Sequence, residues 1–216
     1  MHVITHALIS WGVANVPRNT TRRQRILATV GGVIPDVDAL GAIWDTAFGS
    51  LGDSPTLYYH DYHRVVGHTA AFAAAALLMP LVLADQGKRL ATAALFALAF
   101  HVHLVCDLVG SRGPDGADVW GVPYLHLPFS RSHLPSNDPV WWKWAGQWEL
   151  TAWPNVAITI LMLAFCCVMA VKANRTILEV LSPKLDGVVV RALRRRLLGE
   201  GSRAPVTAPD AEPPLE

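Results

Sequence analysis

Three stretches of this chain run for about the width of a bilayer without an Asp, Glu, Lys or Arg. They are residues 65–84, 90–106 and 150–171, of 20, 17 and 22 residues. A helix needs roughly 20 apolar residues to cross the hydrocarbon core, so all three are expected to span. The last has the plainest pattern: 157–171 is apolar apart from Thr159, and Trp141, Trp142, Trp144, Trp148 and Trp153 precede it as an interfacial aromatic belt. Charged residues make up only 16% of the 216, against about 25% in a soluble domain. A soluble bundle of buried helices is the competing reading, and the low charge with clustered Trp favours lipid.

Two further helices, 4–16 and 26–34, are too short to span alone at about 1.5 Å per residue. The N-terminus lacks the basic n-region and small-residue cleavage site of a signal peptide. The expected fold is all-α: a membrane-embedded helical bundle of about five helices, three of them spanning, over residues 1–172. A basic amphipathic juxtamembrane helix (173–198, its core 176–198) and a disordered, proline-rich tail (199–216) follow.

Charge placement predicts an orientation. Alternate threading puts 17–25, 85–89 and 172–216 on one side, with Arg18, Arg22, Arg23, Arg25, Lys88, Arg89, Lys172, Arg175, Lys184, Arg191, Arg194, Arg195, Arg196 and Arg203. The other side, 45–64 and 110–149, holds Arg64, Arg112, Arg131 and Lys143. Fourteen basic residues against four place the first set on the cytoplasmic side of a multi-pass membrane protein. The net charge of +1 gives no bulk attraction to nucleic acid. Cys106, Cys166 and Cys167 sit in apolar runs without CxxC spacing and read as small hydrophobes.

Histidine is the outlier: nine residues, seven of them between 60 and 133. Ionisable groups gather at the non-cytoplasmic ends of the helices. His6 opens the first helix, where a structural role is the plainer reading. Asp36 and Asp38, in Pro35-Asp36-Val37-Asp38 after Gly31-Gly32, can converge on one cation or form an Asx turn or N-cap. His63 and His68 are five apart, about 500° of helix, so they meet only if His63 precedes the helix and His68 sits on its first turns. His103 and Asp107 stack on one face at i, i+4, whereas His101 points elsewhere, as a core or second-layer residue.

The three carboxylates lie beside apolar helices, where an isolated charge is costly. Arg64 and Arg112 are the local basic residues and do not neutralise them all. Two divalent cations, with His6, His63, His68 and His103 as nitrogen donors, would do so and leave positions for water. Mixed His and Asp without thiolate suits zinc first, with manganese or iron as alternatives.

The ordered set Thr5-His6, Pro35-Asp36-Val37-Asp38, His63-Arg64, His68-Thr69, and His103 through Asp107, followed by a glycine and Pro128-Phe129, resembles the LexA-regulated, membrane-bound metal-dependent hydrolases of bacteria. That family is more distantly similar to the zinc-dependent phospholipase C and P1 nuclease group. The resemblance covers roughly residues 1–135. It implies that His6, Asp36, Asp38, His63, His68, His103 and Asp107 are metal-site positions. The chain departs from the pattern at Gly67, where a bulkier residue is expected, and in the His-rich 124–133 segment. There His126 and His133 are interfacial or extra ligands.

The function expected is hydrolysis at the outer face of the membrane, by water that a metal activates for attack on a phosphoester. Asp38 would bridge or orient that water. Arg64 would stabilise charge developing on the substrate or pair with an acidic ligand. The 110–149 loop, with Trp120 and Tyr124, would form a lid or lipid-facing mouth. A phospholipid or lipid-linked phosphate is the most economical substrate for a site opening beside headgroups. The alternative readings are a transporter or channel using the same groups, and a metal-binding scaffold without turnover. Against the transporter, the groups gather at one end of the spans.

Overall fold

The structure, a computed structural model, describes residues 1–48, 63–64, 66–110, 122, 124–125, 148 and 151–199. Every regular element among them is helical, and they belong to two compact units, Met1–Phe165 and Cys166–Glu216.

The first unit opens with α1 (Val3–Ala14) and α2 (Arg22–Gly31), at the places expected for the two short helices. α2 begins earlier than its apolar run because Thr21 and Gln24 form a capping box. Thr21 Oγ1 accepts from the Gln24 amide at 3.3 Å, and Gln24 Oε1 accepts from the Thr21 amide at 3.0 Å. Gly31 and Gly32 end the helix, and Pro35 stands in the first turn of a 3-10 helix, Ile34–Leu40, that runs into α3 (Gly41–Phe48).

The 65–84 stretch corrects an expectation, because it is not one span. Thr69 caps α4 (Ala70–Ala76) by accepting from the Phe72 amide, and α5 (Leu78–Leu83) follows after a break at Leu77. Pro80 has no amide hydrogen to give to the carbonyl four residues back, so the helix interrupts itself there. Fourteen residues, Ala70–Leu83, reach about 21 Å and fall short of a ~30 Å core.

Two helical stretches are long and apolar enough to cross a membrane, Gln86–Gly110 and Trp153–Ala173. The first comprises a 3-10 turn (Gln86–Lys88) and α6 (Arg89–Gly110); the second is α7. The pair Arg22–Gly31 and Ile34–Ala47, bent by 48°, has the length and composition of a third, broken span. Most of α7 is uncovered, with Trp153, Val156, Ile160, Leu161, Leu163 and Val168 exposed. A helix apolar all round and bare on most sides needs lipid to cover it. Trp148 is half-buried; Trp120, Trp141, Trp142 and Trp144 lie outside the described residues, as do Arg112, Arg131 and Lys143.

α6 is the central element and packs against α1, α2 and α5. Its buried face runs Thr92, Phe96, Ala99, Phe100, His103, Leu104, Asp107, Leu108, the i, i+3, i+4 pattern of a helix stripe. Phe96, Phe100, Leu104 and Leu108 join Ala73 and Val122 in the apolar core. The same stripe therefore carries one imidazole and one carboxylate into the interior at its C-terminal end.

In the second unit, a 3-10 turn (Ile177–Val180) leads to α8 (Pro183–Leu198), where the amphipathic helix was expected. Ser182 caps it, Pro183 stands in its first turn, and Gly199 ends it at φ +66°, a left-handed conformation. The expected disordered tail lies, beyond Gly199, outside the described residues. The three cysteines are free.

Candidate metal centre

Four side chains from three chain segments converge at the C-terminal end of α6. Asp36 comes from the 3-10 helix, His68 from the segment before α4, and His103 and Asp107 from α6. One ligand atom of each lies within 4.8 Å of all the others. The spacing is tight: His103 Nε2 is 3.3 Å from His68 Nε2, 3.6 Å from Asp36 Oδ1 and 3.7 Å from Asp107 Oδ2. His68 Nε2 is 3.3 Å from Asp107 Oδ2.

The proton on His103 can be assigned. Its Nδ1 lies 2.9 Å from the Gly32 carbonyl, which only accepts, so Nδ1 carries the hydrogen and a neutral ring aims the Nε2 lone pair at the cluster. Gly32 allows this because the chain comes very close to α1 there. A β-carbon on it would sit 1.7 Å from Ser10 Oγ.

The other three expected ligands stand one contact further out. Asp38 Oδ1 is 3.0 Å from His63 Nδ1, while its Oδ2 accepts from the Gly67 amide at 2.9 Å and lies 3.6 Å from His68 Nδ1. One carboxylate thus orients both imidazoles of the 63–68 segment. His6 Nε2 donates to Asp107 Oδ1 at 2.9 Å, and its ring stacks on His103 with centroids 3.7 Å apart. The amino group of Met1 also reaches Asp107 Oδ1, at 2.5 Å.

His63 and His68 meet, with ring centroids 5.3 Å apart, but not in the way the spacing required. Both precede α4, because Thr69 caps the helix and His68 has no helical turn to sit on. Turn backbone, with Arg64 in a left-handed conformation, brings the rings together, not helix periodicity. Gly67 is a glycine for a local reason: a β-carbon would stand 1.9 Å from the Pro35 carbonyl oxygen. The bulkier residue expected there has no room.

Arg64 donates to Asp107 Oδ2 at 3.0 Å and is 1% exposed. Of its two expected roles, pairing with an acidic group is the one the geometry supports. Its φ of +72° is a left-handed conformation costing of order 1–3 kcal/mol for a non-glycine residue, held by the surrounding contacts. His101 is a correction. It is exposed on α6, where Nδ1 donates to the Ala97 carbonyl and Nε2 accepts from the Tyr124 hydroxyl, both at 2.7 Å. His126 and His133 lie outside the described residues, with most of the proposed lid.

Burial lowers the proton affinity of His63, against the pull of its Asp38 hydrogen bond, which favours the neutral ring. Burial also works against charge on His68, but the Asp107 and Asp38 carboxylates beside the ring outweigh it and raise its proton affinity. Carboxylates on both sides of one imidazole ask for a positive charge between them. A metal cation at the ring's edge meets the same demand. Asp36 Oδ2, on a member of the cluster, is buried with no hydrogen-bond partner among the described residues, a further sign that the donor set is incomplete without a cation. Two imidazoles and two carboxylates with no thiolate fit a borderline or hard divalent metal.

Fold and site together define an all-helical membrane protein with a buried His/Asp cluster able to hold a metal ion. The model of the YdjM inner membrane protein family matches residues 1–182, and the chain belongs to that family. No curated protein and no solved structure matches.

Proposed function

We propose that this protein is a metal-dependent hydrolase of the inner membrane that cleaves a phosphoester. The observation that carries the reading is the convergence of Asp36, His68, His103 and Asp107, with the His103 lone pair aimed inward by the Gly32 carbonyl. These four would hold the ion, zinc first and manganese or iron as alternatives. A divalent cation so held supplies Lewis acidity toward a phosphoryl oxygen and makes water a nucleophile near neutral pH. Asp38 keeps His63 and His68 in register, and Arg64 and His6 hold Asp107 from either side. The donor set lacks the thiolates of structural zinc sites and is of the His and carboxylate kind found in catalytic ones, which supports turnover over a purely structural role.

The site belongs, in this reading, to the non-cytoplasmic side. Arg23 and Asp85 form an ion pair at 3.0 Å, which joins the basic 17–25 and 85–89 loops at one end of the first unit. His103 lies fourteen residues along α6 from Arg89, about 21 Å away. With the basic loops in the cytoplasm, the cluster faces outward.

Metal analysis of the detergent-solubilised protein, followed by hydrolysis of a generic phosphodiester, tests the proposal. The expected result is bound metal and turnover, both lost in His103→Ala. Comparing a phospholipid in mixed micelles with a soluble diester then separates a lipid-linked from a free substrate. Metal-free protein overturns the proposal. Bound metal without turnover on any phosphoester leaves the metal-binding scaffold in its place.

A further inference from the structure

We propose that α8 lies on the surface of an anionic bilayer, held there by phosphate headgroups and by shallow insertion of its apolar edge. Leu185, Val188 and Ala192, at i, i+3 and i+7, share one face and are exposed, the first two at 45% and 54%. Asp186 and Val190 are buried and point the other way, so this apolar face is not the one by which the helix packs in its own unit. Lys184, Arg191 and Arg195 are exposed along one border of the apolar face, at i, i+7 and i+11, and Arg196 lies on its other side. Apolar residues edged by cations are the pattern of a helix lying in a headgroup layer.

A second observation fixes where that face is presented. Arg194 donates to the Val171 carbonyl at 2.7 Å and to Asn174 Oδ1 at 2.8 Å, which ties α8 to the last turn of α7. Asp186 accepts from the Thr176 amide and hydroxyl, at 2.7 and 2.6 Å, and braces the connection. The basic helix is thus fastened to the end of a helix long and apolar enough to span, within reach of the headgroups. Charge complementarity selects anionic lipid over zwitterionic lipid. The inference stands apart from the metal centre.

Hydrogen exchange of residues 183–198, measured on the intact protein in nanodiscs, tests it. Exchange should be slower with equimolar phosphatidylglycerol than with phosphatidylcholine alone, and the difference should vanish at high salt. Each basic residue near an anionic surface is worth about a fivefold change in partitioning, so K184Q/R191Q/R195Q should weaken attachment by about a hundredfold. L185S/V188S should also abolish the difference, with thermal unfolding of both variants confirming that they remain folded. Equal exchange in the two lipids overturns the proposal. So does protection that survives removal of the three charges, which would point to a protein partner instead.

Discussion

Asp107 is reached by His6, His68, Arg64 and the Met1 amine. Replacing it by Ala would remove the buried carboxylate to which Arg64 donates, so a lower midpoint in thermal unfolding is expected along with lost metal. Asp38 separates the two effects. Asp38→Asn keeps the size of the side chain but removes the charge that orients His63 and His68. Metal affinity should fall by about 10–100-fold while one saturating equivalent still binds, as titration calorimetry would show. Unchanged affinity would mean that Asp38 is structural only. Gly67→Ala should lower stability by about 1–3 kcal/mol in thermal unfolding, because Pro35 leaves no room for the methyl. Gly87→Ala, with nothing within 4 Å, is the control. The i, i+4 spacing of His103 and Asp107 was legible in the sequence, since helix geometry alone brings the two together. The roles of the Gly32 carbonyl and the Gly67 amide were not. Backbone groups carry no sequence signature except the glycines that permit their approach.

At the level of elements, the sequence located helices better than it judged their length. Residues 90–106 and 150–171 became α6 and α7 nearly as expected, because an unbroken apolar run has no competing way to satisfy its backbone in lipid. Residues 65–84 did not, although Pro80 and Thr69 were present to be read: absence of charge describes solvent preference, not helix continuity. The start of α2 likewise depends on a cap. Thr21→Ala should cost about 1 kcal/mol and raise exchange at the Gln24 amide, and no change in either would remove the capping box from the account.

For the whole molecule, reporter fusions after Lys88 and after Gly110 should report opposite compartments, cytoplasm for the first. The reverse result would put the cluster on the inner face and overturn the orientation. The sequence alone determined that this chain is helical and belongs in a membrane, because burying apolar surface is a property of composition and periodicity that needs no partner. It also named the residue types able to hold a cation. Only the tertiary structure decided how the seven sit: Asp36, His68, His103 and Asp107 gather their donor atoms, His6 contacts Asp107, and Asp38 contacts His63. The physical reason is reach. Coordination demands donor atoms a few ångströms apart, and the distance between residues far apart in the chain is set by how α6 packs on its neighbours and where each loop turns.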